Sequence, residues 1–291
     1  MSTVESVQVT PNKDQSGLRS RRIRWYHYIF LGLVAFASFF PFYWMFVISS
    51  NDSSAVAKIP PVVVPGENFL SSVETVNSII NFSVPLMNSL FVATIVALSQ
   101  VFFSTLAGFA FAKLRFRGKN ALFLFILATM MIPTGLGIIP FYLMMSNLGL
   151  INTLASVILP GLTTAFGVFW MRQTIDGGVP DELIEAARID GASNFMVYRK
   201  VVLPAIAPTA TVLGLFAFLA AWNDFMWPLL SLNSPENFTV QVAVRQLRSA
   251  YFIDYSVQMT GAFLATVPLL ILFALVARRM VAGVMAGAIK G

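Results

Sequence analysis

Long apolar runs recur along this chain, and only short polar stretches separate them. Hydrophobic residues make up 57% of its 291 residues and charged residues 11%, whereas a soluble domain carries about a quarter charged residues. A helix needs about 20 mainly apolar residues to cross a bilayer, and an open sheet would leave backbone polar groups unpaired in lipid. The sequence therefore predicts an all-α integral membrane protein.

Six of these runs are long enough to form transmembrane helices. The polar residues before them predict a disordered basic arm, and a short tail follows them. The six spans and the loops between them form one membrane domain over residues 25–280, flanked by the arm at 1–24 and the tail at 281–291. We place the spans at about residues 25–48, 85–112, 120–145, 153–171, 203–232 and 257–277.

The basic residues fall on one side of a six-span topology. Of the 19 lysines and arginines, all but Lys58, Arg245 and Arg248 lie in the arm, in the two even-numbered loops or after the sixth span. By the positive-inside rule these segments face the cytoplasm, so both termini are predicted to be cytoplasmic. The net charge of +6 is explained by this distribution and does not require a nucleic-acid partner.

The first span has some features of a cleavable signal peptide. A basic start precedes an apolar run, and Ala35–Ser38 imitates a cleavage site. The apolar run continues directly through "FFPFYWMFVI", which favours an uncleaved membrane anchor.

The loop over residues 172–202 contains the longest charged interruption in the second half of the chain. Pro180, with two acidic residues after it, is typical of a helix start, and Gly191 can end that helix in a left-handed conformation. A second short helix is predicted over residues 193–201, before Pro204 and Pro208 mark the return to the bilayer. Leu183 and Ala187 share one helical face. Such a helix could dock into a groove of another protein, or it could rest on lipid headgroups.

The sequence "EAARIDGASNFMVYRKVVLPAIAP" resembles the loop that is typical of permease subunits of bacterial ABC importers. The family pattern is Glu-Ala-Ala, then Gly, then Leu-Pro at a set distance, with "DGA" in its common form. The ending "AGVMAGAIKG" is similar to the tail of the maltose-type inner permease, in the carbohydrate-uptake branch. The matching positions are Glu185, Ala186, Ala187, Asp190, Gly191, Ala192, Leu203 and Pro204.

The resemblance implies a type I ABC importer permease fold, with a cytoplasmic coupling helix between spans 4 and 5. In that family the coupling helix sits in a cleft of the ATPase subunit and transmits ATP-driven closure to the spans. The resemblance also implies a bacterial inner-membrane location and a set of partners. These are a second related permease, two copies of a cytoplasmic ABC ATPase, and an extracytoplasmic solute-binding protein or lipoprotein.

The chain itself lacks the motifs expected of an enzyme. A P-loop ATPase needs Gly-Lys followed by Ser or Thr, but Asn120 follows "GK" here. There is no cysteine and one histidine, His27, which excludes thiolate and multi-histidine metal sites within this chain. We therefore predict no cofactor in this chain, with ATP and Mg²⁺ bound by the partner ATPase.

Polar residues within the spans are candidates for the substrate pathway, because their burial in lipid is costly. Asn223 and Asp224 lie near the outer end of the fifth span, between Trp222 and Trp227. They could form an outer gate, or belong to the interface and to helix packing. Asn88, in the outer half of the second span, could face the pathway or make an interhelical hydrogen bond.

The third predicted span contains "IPTGLGIIP". Pro133 and Gly135, with Gly137 and Pro140, should interrupt the helix. Broken helices often line the route in transporters, although a kink satisfied by neighbouring groups is the simpler explanation.

These observations and the resemblance lead to one expected function. The chain is expected to be a permease subunit that moves a sugar or sugar-like solute inward by alternating access. Two alternatives stay open: an ABC importer for another solute, such as glycerol phosphate or an osmolyte, and a membrane scaffold that binds a non-ATPase partner.

Overall fold

The computed structural model describes residues 25–248 and 254–288, and this part of the chain is helical with short connections. The predicted arm at 1–24 and the last three residues of the tail lie outside the described residues. The helices are α1 (Trp25–Ser49), α2 (Phe69–Ile80), α3 (Ser83–Lys113), α4 (Lys119–Thr129), α5 (Ile138–Asn147), α6 (Leu154–Gly161), α7 (Ala165–Gly178), α8 (Asp181–Ile189), α9 (Asn194–Val197), α10 (Leu203–Asn223), α11 (Met226–Ser231), α12 (Val240–Arg245) and α13 (Tyr255–Ala288).

The chain divides into two compact units within α1. The part of this helix up to Tyr43 belongs to the first unit, and residues from Trp44 onward form the second. The second unit contains the packed helices and all the candidate site residues.

Within the residues that the structure describes, five helical stretches are long and apolar enough to cross a membrane. They are Trp25–Ser49, Ser83–Lys113, Leu154–Gly178, Asn194–Asn223 and Tyr255–Val276. The chain is therefore a multi-pass membrane protein, in agreement with the predicted fold class. The count of six spans is not confirmed.

The third predicted span, 120–145, is not one helix. It is divided into α4, of 11 residues, and α5, of 10 residues, with a 3₁₀ turn at Thr134–Gly137 between them. Pro133 is extended there, with φ −60° and ψ 126°, because its ring fixes φ and it has no N–H to donate to a helix. The interruption predicted from "IPTGLGIIP" is confirmed.

The last two predicted spans also differ from the observed helices. The helix of the fifth begins at Asn194 and ends at Asn223, so α11 is a separate short helix. The backbone breaks at Asp224, which is extended with φ −66° and ψ 125°. Helix α13 continues through Ala288, so the start of the predicted tail at 281 is part of the same helix.

Helix α3 packs against both α7 and α10 in the centre of the second unit. Its approach to α7 is close, since a Cβ atom at Gly108 would lie 2.8 Å from the Met171 Cβ, and one at Gly167 would collide with the Ser104 hydroxyl. Small residues at such crossings allow the backbones of membrane helices to approach.

Three clusters of buried apolar side chains lie around these helices. The first joins α3, α7, α8 and the start of α10, and includes Phe109, Met171 and Ile184. The second and third pack the opposite end of α3 against α10, α12 and their neighbours, around Trp222 and Trp227 respectively. The first cluster supports the candidate site.

Candidate functional site

The charged loop of the sequence forms a short helix, α8, that runs from Asp181 to Ile189. Pro180 precedes it with φ −58° and ψ 142°, Asp181 and Glu182 occupy the first turn, and Arg188 the last. Acidic groups at the N-terminus and a basic group at the C-terminus complement the helix dipole. These local preferences explain why nine residues of low overall hydrophobicity are helical.

A glycine turn ends α8 as the sequence predicts. Gly191 has φ +82°, in the left-handed region that glycine adopts without a Cβ clash. Its N–H donates to the Arg188 carbonyl over 3.0 Å, and the Ala192 N–H donates to the Ala187 carbonyl over 3.0 Å. This pair of bonds is a Schellman motif, which fixes the direction in which the chain leaves the helix.

One face of α8 is anchored on the first apolar cluster. Ile184 is buried at 3% exposure, and Ala187 packs partly buried against the same cluster. Leu183, by contrast, is 52% exposed. Leu183 and Ala187, which are four residues apart on the helix, therefore differ in exposure, because α8 is rotated so that Ala187 lies against the cluster.

The outward face of α8 combines acidic and apolar side chains. Glu185, Ala186 and Ile189 are exposed, and Ile189 is exposed at 86%. When a partner covers a large aliphatic side chain that lies outside the apolar spans, apolar surface leaves water and the free energy of the complex falls. Ile189 was not singled out from the sequence, although its position opposite Ile184 on a helical wheel is a usable signal.

The chain beyond Gly191 differs from the predicted second short helix. Ser193 caps α9 by accepting the Met196 N–H over 3.3 Å, and α9 continues through a π-helical turn at Tyr198–Val202 into α10. Leu203 is partly buried against the first cluster, and Pro204 is exposed in the first turn of α10. The π turn lies next to Pro204, which cannot donate a backbone hydrogen bond.

An ion pair that sequence reasoning missed attaches α8 to α3. The Lys113 ammonium donates to Asp181 Oδ1 over 2.7 Å, with the lysine side chain 5% exposed and the aspartate side chain 75% exposed. The hydrogen bond and charge of Lys113 hold the pKa of Asp181 below its usual range. In the sequence, Lys113 was counted only among the basic residues that predict the membrane topology.

A second link joins α3 to the same region. The Thr105 and Tyr198 hydroxyl groups are 2.8 Å apart and buried. Because Tyr198 begins the π turn, this bond connects the segment that follows α8 to the middle of α3.

At the opposite end of α3, the Asn88 side chain forms hydrogen bonds with a later segment of the chain. Its side-chain amide donates to the Glu236 and Phe238 carbonyls over 2.8 and 3.0 Å. Its neighbour Ser89 accepts the Val240 N–H over 2.8 Å. Asn88 is thus engaged in holding residues 236–240, which is close to the hydrogen-bonding alternative considered for it.

The pair Asn223 and Asp224 ends α10. Asn223 donates to the Leu219 carbonyl over 2.8 Å, and Asp224 follows it in an extended conformation. Trp222 and Trp227 are buried at 1% and 8% exposure, and their indole N–H groups donate to the Ala265 and Ser156 carbonyls. Both tryptophans therefore pack against neighbouring parts of the chain.

Pro133 and Gly135 are exposed in the break between α4 and α5. The structure places them apart from the residues of α8, and their assignment to a substrate pathway stays a prediction.

The segment of residues 231–240 is fixed to its surroundings by a second asparagine. Asn152, in the left-handed conformation with φ 63°, accepts the N–H groups of Asn233 and Ser234 at 2.9 Å each. Its backbone carbonyl accepts the Asn237 side-chain amide over 2.8 Å. These bonds hold the chain between α11 and α12 in place, while residues 249–253 lie outside the described residues.

Comparison with known protein families places this geometry in context. A family described as "Binding-protein-dependent transport system inner membrane component" matches residues 100–285, about two thirds of the chain. The match includes the whole of α7, α8 and α10 and the end of α3 that anchors α8.

Several curated proteins are similar over most of the chain. A lactose transport system permease protein, LacG, of Rhizobium radiobacter is 31% identical over 263 residues, which cover 90% of this chain and 95% of the relative. An arabinooligosaccharides transport system permease protein, AraQ, of Halalkalibacterium halodurans is 34% identical over 70% of this chain and 73% of its own length. An sn-glycerol-3-phosphate transport system permease protein, UgpE, of Rhizobium meliloti is 33% identical over 84% of this chain and 89% of its own.

A solved structure matches the fold. It is a chain in the crystal structure of a bacterial ABC transporter involved in the import of the acidic polysaccharide alginate, with a TM-score of 0.75 and 23% identity. The match covers 87% of this chain and 94% of that one. The all-helical fold expected from the sequence is therefore confirmed as that of an ABC importer permease.

Proposed function

This chain belongs to the family of binding-protein-dependent transport system inner membrane components, and we propose that it is the permease subunit of an ATP-driven importer for a sugar. Two relatives are named for the transport of lactose and of arabinooligosaccharides. Their similarity extends over most of this chain and supports a carbohydrate as the transported solute.

A second solute is favoured by a specific observation. The relative from Rhizobium meliloti is named for sn-glycerol-3-phosphate and is as similar to this chain as the sugar permeases are. An importer for glycerol phosphate is therefore the competing proposal, and the transport assay below must distinguish the two.

We infer that the energy source is a separate subunit. The sequence contains no P-loop motif, so ATP and Mg²⁺ would bind two copies of a cytoplasmic ABC ATPase. A second permease chain would complete the membrane pore, and a solute-binding protein or lipoprotein would deliver the ligand from outside. The location would be the bacterial inner membrane, with both termini in the cytoplasm, as the basic residues favour.

The observation that carries the proposal is the construction of α8 and its turn. The helix is anchored by Ile184 and Lys113 on one side, ends rigidly at Gly191, and presents Glu185, Ala186 and Ile189 outward. A short, braced helix with an exposed aliphatic side chain is suited to fill a cleft in a partner. We assign this face as the coupling site for the ATPase.

The mechanism follows from that attachment. When ATP closes the ATPase dimer, the cleft displaces α8, and the ion pair and the buried apolar contacts of α8 carry α3, α7 and α10 with it. The spans would then change from an inward-open to an outward-open arrangement, and hydrolysis would return them. Asn88, Pro133, Gly135, Asn223 and Asp224 would move with the helix ends that hold them, near the outer gate.

Reconstitution tests the proposed function. The chain is purified with its ATPase and partner permease, placed in liposomes that contain MgATP, and supplied with the binding protein and radiolabelled lactose, arabinotriose or glycerol 3-phosphate. We expect uptake of a sugar with internal ATP and none with internal ADP. Uptake of glycerol 3-phosphate alone would support the competing solute, and ATP-independent behaviour with all three probes would contradict an importer.

A further inference from the structure

Helix α3 differs from the other spans in its continuity. Among the spans that the structure describes, α1, α10 and α13 contain an internal proline, and the stretch Leu154–Gly178 is interrupted between α6 and α7. Helix α3 is unbroken over 31 residues, and its one proline, Pro85, lies in the first turn, where it is tolerated. An uninterrupted helix transmits a displacement along its axis, whereas a break absorbs it.

The cytoplasmic end of α3 is bonded to α8. Lys113, the last residue of α3, pairs with Asp181 over 2.7 Å. The lysine side chain is nearly buried. The Thr105–Tyr198 hydrogen bond adds a second attachment two turns further along the helix. A movement of α8 must therefore move α3 or break these bonds.

The outer end of α3 is bonded to the segment of residues 236–240. Asn88 donates to two carbonyls of this segment, and Ser89 accepts its Val240 N–H. Phe238 and Val240 are buried at 8% and 0% exposure, so the segment is packed as well as hydrogen-bonded. Glu236 and Pro235 remain exposed on its outer surface.

We propose that α3 is the element that links the outer segment 236–240 to α8, with Asn88 and Lys113 as the positioning residues at its two ends. The two residues are 25 positions apart, or about 37 Å at 1.5 Å per residue. The proposal rests on the proposed function and adds to it the route by which a binding protein outside regulates the ATPase inside. Helix α10 is a less direct route, because its π turn and Pro208 allow it to bend.

The test is a double-mutant cycle on ATPase stimulation. The assembled complex in nanodiscs carries Asn88→Leu, Lys113→Met or both, and its ATPase rate is measured with and without binding protein loaded with lactose, arabinotriose or glycerol 3-phosphate. Each single variant should lower the stimulation, the ratio of the two rates, by about 5-fold or more, the low end of allosteric coupling. The double variant should lose no more than the worse single variant, since one link is broken in each case.

Controls separate this outcome from a loss of folding and from a failure of the proposed function. Thr94→Val, an exposed position of the same helix, should leave stimulation unchanged. If Lys113→Met prevents assembly, Asp181→Asn removes the same ion pair at its exposed end. Unchanged stimulation in the single variants, or losses that multiply in the double variant, would overturn the role of α3. A wild-type complex that shows no stimulation would instead contradict the proposed function.

Discussion

Gly191 shows how one residue determines the geometry of the candidate coupling site. Its positive φ turns the chain at the end of α8 and allows both hydrogen bonds of the Schellman motif to form. No neighbouring atom lies within 4 Å of the position a Cβ would occupy, so the restriction on this residue is conformational rather than steric. Its geometry could be predicted from "DGA" following a helical pattern, whereas its role in coupling is implied by the resemblance and stays a prediction.

A matched pair of glycines tests whether this turn has a role beyond stability. Gly118 also has φ +82° and open space around its Cβ position, but it begins α4. Alanine at either site should cost about 1–2 kcal/mol of stability, because an L-residue is strained at positive φ. Gly191→Ala should in addition lower binding-protein-stimulated ATPase activity several-fold, whereas Gly118→Ala should not. Equal stimulation in the two variants, measured at matched protein amounts, would count against a special role for the Gly191 turn.

Other residues of the site could not be found from the sequence. Lys113 and Asp181 are 68 positions apart, and their pairing depends on how α3 meets α8, which no local pattern encodes. The sequence identified Asn88 as a polar residue that is costly to bury without a hydrogen-bond partner. Its partners are carbonyl groups about 150 positions later in the chain. Sequence reasoning identifies such residues as needing a partner and leaves the partner open.

At the scale of elements, the sequence predicted helices well and their ends less well. The break at Pro133 was predictable because proline fixes φ and removes a hydrogen-bond donor. The continuation of α9 through a π turn into α10 was not, because Pro204 and Pro208 were interpreted as a boundary. The π turn adjusts the backbone ahead of Pro204, so the helix continues.

The crossing of α3 and α7 gives a prediction at this scale. Gly167 lies against Ser104, and a methyl group there would overlap the serine hydroxyl, so Gly167→Ala should separate the helices and destabilise the protein by about 1–3 kcal/mol. Gly177 lies on the same helix with nothing within 4 Å of its Cβ position. Gly177→Ala should be neutral or slightly stabilising, since alanine favours helices.

Thermal unfolding of the two glycine variants in the same detergent compares them directly. A melting temperature that falls for Gly167→Ala and not for Gly177→Ala supports the close crossing. An equal effect in the two variants would show that the helices are not in contact at Gly167.

For the whole molecule, composition and charge determined the class of protein, while the resemblance of one loop indicated the family. Both were confirmed by the family match over residues 100–285. The number of spans was not confirmed, because a count from hydropathy assumes continuous helices and the third predicted span is divided. The transported solute is not encoded in any motif of the chain, and it enters only through similarity to named relatives.

The orientation of the molecule is a prediction that the absence of native cysteine makes simple to test. Ile59 and Ile189 are both highly exposed, at 96% and 86%, and the positive-inside rule puts them on opposite sides of the membrane. In intact cells an impermeant maleimide should label Ile59→Cys and not Ile189→Cys, and both should react after lysis. Labelling of Ile189→Cys in intact cells would show that the topology is the reverse of the predicted one.

The outward face of α8 is proposed to contact the ATPase, and photo-cross-linking from that face tests this contact. Ile189→Cys and, as a control, Ile59→Cys are labelled with a benzophenone maleimide in the assembled complex and irradiated. Our account predicts a cross-link from position 189 to the ATPase subunit, altered in yield by MgATP, and none from position 59. A complex that assembles normally but gives no cross-link between position 189 and the ATPase would contradict it.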